Sequence, residues 1–283
     1  MLKIAVPNKG ALSEGAVEIL KEAGYRCRRS GRELTVTDDV NEIEFIFLRP
    51  RDIAVYVGNG VLDLGITGRD LALDSAADVS ELLALEFGKS KFFYATPKDS
   101  GLTPDKFAGL RIATSYAEIV RQDLEARGVD AKVIRLDGAI EVSISLGVAD
   151  AIADVVESGR TLKEAGLATV GEPVMNSEAI LIGGGDNSIA EHPEVVRLLQ
   201  RLKGILVARS YAMIEYDIPK AALKEACTIT PGIESPTVSP LNNPDWAAVK
   251  SMITRKEVNA VMDALHDIGA RGIIVTDIRT CRI

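Results

Sequence analysis

Ala151-Ile152-Ala153-Asp154-Val155-Val156-Glu157-Ser158-Gly159-Arg160-Thr161-Leu162 is the stretch on which the reading of this chain turns. An apolar run reads as a buried strand and delivers Asp154 at its end. A loop of small residues follows, and Thr161–Ala165 reads as the start of a helix. Small side chains let backbone N–H groups approach an anion, and a helix N-terminus adds partial positive charge. Ser158, Gly159, Arg160 and Thr161 are therefore candidates to cradle a phosphomonoester, with Asp154 accepting from vicinal ribose hydroxyls. The same residues also fit an ordinary strand-to-helix turn with Ser158 or Thr161 as N-cap.

Outward from this stretch, short β-like runs alternate with helical patterns through about residue 180. That alternation predicts an α/β fold with largely parallel sheets. Leu2–Val6, Leu34–Thr37, Ile43–Leu48 and Leu62–Thr67 read as strands, Leu12–Ala23 as a helix, and Pro50 as the opening of another. Leu110-Arg111-Ile112-Ala113 echoes Leu2-Lys3-Ile4-Ala5. Gly60-Val61-Leu62-Asp63 with Gly68-Arg69-Asp70-Leu71 is echoed by Gly147-Val148-Ala149-Asp150 with Gly159-Arg160-Thr161-Leu162. Two similar lobes are expected, their strand ends facing a shared cleft. Gly183–Ser188 reads as a flexible surface link, since no P-loop context follows it. His192–Ala208 reads as an amphipathic helix. Beyond residue 210 the order becomes β-α-β-β-α-β, the ferredoxin-like split unit.

Domain limits follow: lobe I from 1–90 and 180–208, lobe II from 91–179, and a third domain from 209–283. The length of 283 residues suits two or three domains. A net charge of −8 gives no support to a nucleic-acid surface, although Arg26, Arg28, Arg29 and Arg32 form a local basic patch. No apolar run is long enough for a transmembrane helix, and Asn8-Lys9-Gly10 interrupts the first run too early for a signal peptide. Three scattered cysteines, Cys27, Cys227 and Cys281, fit a reducing cytoplasm. The two histidines, His192 and His266, read as structural rather than metal-ligating.

The run from Glu141 through Leu162 resembles the signature segment of the ATP phosphoribosyltransferase family. Val6-Pro7-Asn8-Lys9-Gly10, Leu48–Ile53 and Asp63–Asp70 are similar to further motifs of that family, and Thr230–Thr237 resembles its C-terminal regulatory domain. The resemblance spans essentially the whole chain and implies the long form, which needs no separate regulatory subunit. It implies a bilobal catalytic unit like a periplasmic binding protein, plus the ferredoxin-like domain. The implied reaction joins ATP to phosphoribosyl pyrophosphate (PRPP): adenine N1 displaces pyrophosphate from the anomeric carbon in the first step of histidine biosynthesis. Adenine N1 carries a free lone pair at neutral pH, so no strong general base is required. Charge stabilisation and alignment then dominate.

By that resemblance, Asp154, Glu157, Ser158, Gly159, Arg160 and Thr161 bind the PRPP ribose and phosphate. Glu157 lies either beside the sugar or facing solvent. Asp70, Leu71 and Tyr116 line the nucleotide side. Lys9, Arg49 and Arg160 neutralise phosphate charge, with Arg51 and Arg69 as further candidates. Asp154 is followed by Val155, so the paired acids common before phosphoribosyltransferase loops are absent. Mg2+ is then expected on substrate phosphates, with no protein ligand assigned. The third domain is expected to bind L-histidine as feedback inhibitor through Asp217, Ile233, Glu234, Ser235, Thr237 and Gly272. Dimers and hexamers are implied; nucleic-acid and membrane partners are not.

Two rivals share the outline. A prephenate dehydratase-like enzyme pairs a bilobal unit with a similar sensing domain, but it wants a Thr-Arg-Phe motif that this chain lacks. A non-catalytic bilobal ligand-binding protein would consume neither ATP nor PRPP.

Overall fold

The computed structural model describes residues 1–29, 31, 33–156 and 159–282. The chain divides into two compact units, one of Met1–Lys21 and Tyr25–Val196, the other of Glu22–Gly24 and Arg197–Ile283.

The first unit opens with strand β1 (Leu2–Pro7), helix α1 (Gly10–Glu22), β2 (Thr35–Asp38), β3 (Ile43–Leu48), α2 (Pro50–Gly58), β4 (Leu64–Gly68), α3 (Arg69–Asp74) and β5 (Val79–Ala84). There follow β6 (Ser90–Pro97), β7 (Arg111–Thr114), α4 (Ala117–Arg127), β8 (Lys132–Arg135), α5 (Val142–Ser145), β9 (Ala151–Val156), α6 (Arg160–Glu164), β10 (Leu167–Ser177) and β11 (Ala179–Gly184). Two sheets result, ordered β2-β3-β1-β4-β11-β5 and β10-β6-β9-β7-β8. They are the cores of lobes I and II.

The sheets are mixed rather than largely parallel. β1 runs parallel to β3 and β4, and β7 to β8 and β9. The remaining pairings among these strands are antiparallel. The reason is topological: β6 carries the chain out of lobe I and β10–β11 carries it back, so β6 in the second sheet and β11 in the first run against the parallel centre. Gly183 and Gly184 also belong to β11, paired with Ser80 and Val79, instead of forming a free link. A Cβ on Gly183 would meet Ile189 at 2.7 Å, which is why the strand ends in glycine.

The echoes in the sequence correspond to repeated construction. Asp63 Oδ2 accepts from the Lys3 N–H at 2.7 Å, and Asp150 Oδ2 accepts from the Arg111 N–H at 2.9 Å. In return the N–H groups of Asp63 and Asp150 donate to the carbonyls of Lys3 and Arg111. Each Gly-Val-x-Asp thus fixes the start of a parallel strand, β1 in one sheet and β7 in the other. The second half of each echo places Gly68 and Gly159 as N-caps of α3 and α6.

Lobe II packs Phe92, Tyr94, Phe107 and Ile112 against α4 on one face. Ala95, Ile152, Leu162 and Leu167 fill the other face, beneath α6. Each fully buried large side chain contributes about 1.5–3 kcal/mol of apolar burial. α6 is only five residues long, shorter than the helix expected after Thr161, because Gly166 at φ +71 ends it and β10 follows at once.

The second unit carries the end of α7 (Pro193–Ser210), then β12 (Tyr211–Pro219), α8 (Leu223–Ile229), β13 (Thr237–Pro240), β14 (Trp246–Thr254), α9 (Val258–Asp267) and β15 (Arg271–Asp277). Its sheet order, β13-β14-β12-β15, is the ferredoxin-like order expected from the sequence. Strict alternation in β12 buries Ala212, Ile214, Tyr216 and Ile218 under the helices and leaves Glu215 and Asp217 on the opposite face. No helix among the described residues is long and apolar enough to cross a membrane.

Candidate active site

The expected site residues Asp70, Tyr116 and Asp154 lie at or just beyond the carboxyl ends of the parallel strands β4, β7 and β9. Asp154 lies near the end of β9, opposite Phe93 of β6. Its Oδ1 accepts from the Val155 N–H at 2.8 Å. Burial pushes its carboxyl up to about 6, and the nearby Glu141 and Asp70 charges add to the rise; the Val155 hydrogen bond and Arg51 oppose it. A cavity of about 230 Å3 opens beside it, lined by Glu141, Asp154, Gly159, Thr161 and Leu162 among others. A larger cavity of about 820 Å3 shares Val156, Gly159 and Leu162 and carries Arg69, Lys89, Lys91 and Lys163 on its walls.

Gly159 adopts φ +68, a left-handed conformation that glycine enters without penalty. Arg160 points along α6, with its Nε 2.8 Å from Glu164 Oε1 and its side chain 84% exposed. Glu157 and Ser158 lie outside the described residues, as does Arg32 of the basic patch.

On the facing lobe, Asp70 is buried at the start of α3. Its Oδ1 accepts from Ser177 Oγ at 2.9 Å, and its N–H donates to the same hydroxyl at 3.0 Å. Leu71 is half-buried beside it. Tyr116 precedes α4, its ring edge-on to Phe92 with centroids 5.4 Å apart. Burial, then the Asp70 and Asp154 charges, raise its phenol well above the ordinary value, so the hydroxyl stays protonated and available as a donor.

The five candidate cations separate into two groups. Arg51 reaches Asp74 at 2.6 Å, Arg69 forks onto Glu81 with two contacts of 2.8 Å, and Arg160 holds Glu164. Lys9 and Arg49 are exposed and have no acidic partner among the described residues. Arg29 of the basic patch donates to the Asn8 carbonyl at 2.7 Å and stacks over Phe47. His192 accepts from the Glu194 N–H at the start of α7, and His266 is exposed beside Asp267.

Sequence reasoning assigned no role to Glu141, Asp74 or Ser177. Glu141 did carry a signal, since it opens the signature run. Asp74 and Ser177 carried none, because their partners lie 44 and 107 residues away.

In the second unit, Asp217, Thr237 and Gly272 line one cavity of about 440 Å3 on the open face of the sheet. Gly272 has φ +58, and a Cβ there would sit 4.0 Å from Asp217 Oδ2. Ile233, Glu234 and Ser235 do not line this cavity; they are exposed on the preceding loop. That loop is anchored rather than free. Thr230 Oγ1 lies 2.7 Å from the Tyr216 hydroxyl, and Ser251 Oγ donates to the Thr230 carbonyl at 3.0 Å. Gly232 is required here, because a Cβ would press on Ser251 Oγ and the Ser235 carbonyl.

Two α/β sheets with buried acids at their strand ends, followed by a ferredoxin-like sheet, define a bilobal α/β protein with a C-terminal accessory domain. The comparisons agree. Residues 49–204 match the ATP phosphoribosyltransferase family, and residues 208–280 match the C-terminal domain of the same proteins. ATP phosphoribosyltransferase of Salinibacter ruber is 61% identical over 284 residues, covering all of both chains. That of Mycobacterium tuberculosis is 55% identical over 283 residues, again covering all of both. A chain of the ATP phosphoribosyl transferase (HisG:HisZ) complex from Thermotoga maritima is 28% identical with a TM-score of 0.63, over 72% of this chain and 97% of that one. This chain belongs to the ATP phosphoribosyltransferase family. Its reaction is the joining of ATP to PRPP with release of pyrophosphate, in histidine biosynthesis. The dehydratase-like and purely ligand-binding readings fall with that assignment.

Proposed function

We propose that the phosphoribosyl group of PRPP sits in the cavity between Asp154 and Thr161, with its phosphate on the 157–161 loop and its ribose hydroxyls on Asp154. The observation that carries this reading is the shared wall: Asp154, Gly159 and Thr161 line one cavity at the end of β9. Backbone N–H groups and hydroxyls supply the phosphate contacts. The five-residue α6 is too short to add much dipole. Arg160 contributes when it exchanges Glu164 for phosphate.

The nucleotide approaches from the Asp70, Leu71 and Tyr116 side, so adenine N1 faces the anomeric carbon. N1 attacks that carbon, the bond to pyrophosphate breaks, and the electron pair leaves with the pyrophosphate. Lys9 and Arg49 stabilise the oligophosphate charge, because they are the two of the five candidate cations with no acidic partner among the described residues. Arg51 does not take this role, since Asp74 and Tyr116 occupy its guanidinium. Burial raises the Asp154 carboxyl and the Glu141 and Asp70 charges add to the rise, so a cation carried in on substrate would favour its charged form. Mg2+ is assigned to substrate oxygens, where it would neutralise phosphate charge.

The third domain binds L-histidine in the cavity of Asp217, Thr237 and Gly272, with Asp217 pairing with the ligand's positive charge. Ile233, Glu234 and Ser235 act from the adjoining loop. Inhibition then requires two conformations of the homo-oligomer that differ in histidine affinity. The setting is the cytoplasm.

Calorimetric titration with PRPP and Mg2+ tests the substrate assignment. Asp154→Asn and Thr161→Ala should each weaken binding at least about tenfold, the loss of a charge-assisted hydrogen bond or a phosphate contact. Wild-type affinity in both variants would overturn it.

A further inference from the structure

Asp74, the last residue of α3, has no assigned role, yet it is among the most committed carboxylates in the first unit. Its side chain is 4% exposed. Oδ2 takes Arg51 Nη1 of α2 at 2.6 Å, within lobe I. Oδ1 accepts from the Glu118 N–H at 2.9 Å, across the cleft in the first turn of α4 in lobe II. α4 has no side-chain cap of its own, since Tyr116 stands at its N-cap position without a capping hydrogen bond. The helix is therefore capped from the other lobe. Arg51 completes the connection by lying over the Tyr116 ring, 4.9 Å from its centroid. The base of Arg51 is fixed in turn: Thr67 Oγ1 of β4 donates to the Pro50 carbonyl at 2.7 Å.

We propose that Asp74 is a positioning residue for phosphoribosyl transfer. It ties α2 and α3 of lobe I to the start of α4 in lobe II and so holds Tyr116 between Asp70 and Asp154. This rests on the assignment of PRPP to the end of β9 and of the nucleotide to the side of Asp70, Leu71 and Tyr116. It adds that their alignment depends on one buried carboxylate that touches neither substrate. A buried carboxylate satisfied by a guanidinium and an amide tolerates loss of neither partner well, which makes the arrangement discrete rather than sliding. Alignment of two substrates is the kind of catalysis that a small displacement damages most.

The test compares Asp74→Ala, Asp74→Asn, Arg51→Ala and the double variant R51A/D74A with wild type. The readouts are kcat and KM for both substrates, the Kd for PRPP alone, and the melting temperature. The ribose and phosphate of PRPP are assigned to residues that Asp74 does not hold, so its Kd in D74A should stay within about twofold of wild type. The value of kcat/KM for ATP should fall at least about tenfold, because only the step needing both lobes is damaged. D74N keeps an acceptor for the Glu118 N–H and should fall between D74A and wild type. R51A/D74A should be no more than about twofold worse than D74A, as expected of two residues acting through one connection. Turnover at wild-type level in folded D74A would overturn the proposal. So would parallel loss of PRPP binding and turnover, or multiplicative effects in the double variant. Should D74A fail to fold, R51A decides alone, since Arg51 is 35% exposed at the surface. Wild type binding no PRPP would instead count against the substrate assignment.

Discussion

Asp70 and Ser177, 107 residues apart in sequence, form a reciprocal pair: the serine hydroxyl donates to Asp70 Oδ1 at 2.9 Å and accepts from the Asp70 N–H at 3.0 Å. Ser177 ends the strand by which the chain leaves lobe II. The adjacent Glu178 carbonyl accepts from the Arg69 N–H at 3.0 Å. The returning crossover is thus pinned to the turn that carries Asp70, which orients the Asp70 carboxylate from behind. Ser177→Ala leaves a buried N–H and a carboxylate oxygen without their partner. Denaturant unfolding should show a loss of about 1–3 kcal/mol.

Gly68 reports on the same turn. A Cβ there would run into Asp70 Oδ1. Gly68→Ala should therefore displace the carboxylate, raise KM for ATP and leave the Kd for PRPP near wild type. Unchanged ATP kinetics in a folded variant would remove Asp70 from the nucleotide side.

Asp154 sets activity against stability. Its folded value, about 6, lies above the ordinary 3.8. The folded state therefore binds more protons between these values, and the contribution of this group to stability falls as pH rises from about 4 through about 6. Asp154→Asn removes that cost and should stabilise the fold at neutral pH by on the order of 1–3 kcal/mol. Activity should run the other way. The ribose contacts need the carboxylate, so wild-type kcat/KM for PRPP should drop as pH falls through about 6, and the variant should be strongly impaired at every pH. A pH–rate profile and parallel melts of both proteins check the two signs.

In the third domain, Gly272→Val fills the open face next to Asp217 while leaving the first unit untouched. Histidine inhibition should weaken at least about tenfold with kcat unchanged, as expected when a side chain occupies a ligand's place. Tyr216→Phe removes the hydroxyl that holds Thr230 and should cost about 0.5–1.5 kcal/mol of stability.

Local chemistry explains what the sequence made legible. Strands, the Gly-Val-x-Asp echoes and the split βαββαβ order all follow from period, turn residues and spacing, and all appear in the fold. The strand that carries Asp154 and the helix that carries Thr161 were legible for the same reason, since each is local in sequence. Strand direction was not, because whether β6, β10 and β11 run parallel to their neighbours depends on where the chain crosses between sheets. The pairings that organise the cleft were also hidden. Asp74 with Arg51 and Glu118, Asp70 with Ser177, and Arg69 with Glu81 and Glu178 join residues on different elements. The acidic partners of Arg51 and Arg69 were invisible in sequence, because a side-chain partner on another element appears only when the chain folds.

The most direct test of the account is a near-ultraviolet absorbance trace of the purified protein with ATP, PRPP, Mg2+ and pyrophosphatase, run with and without L-histidine. Alkylation at adenine N1 changes the chromophore, so product appears without a coupled assay. The account predicts a rise that requires PRPP and is suppressed by L-histidine. A folded protein that gives no rise contradicts the catalytic assignment, and a PRPP-dependent rise that L-histidine leaves unchanged contradicts the role given to the third domain.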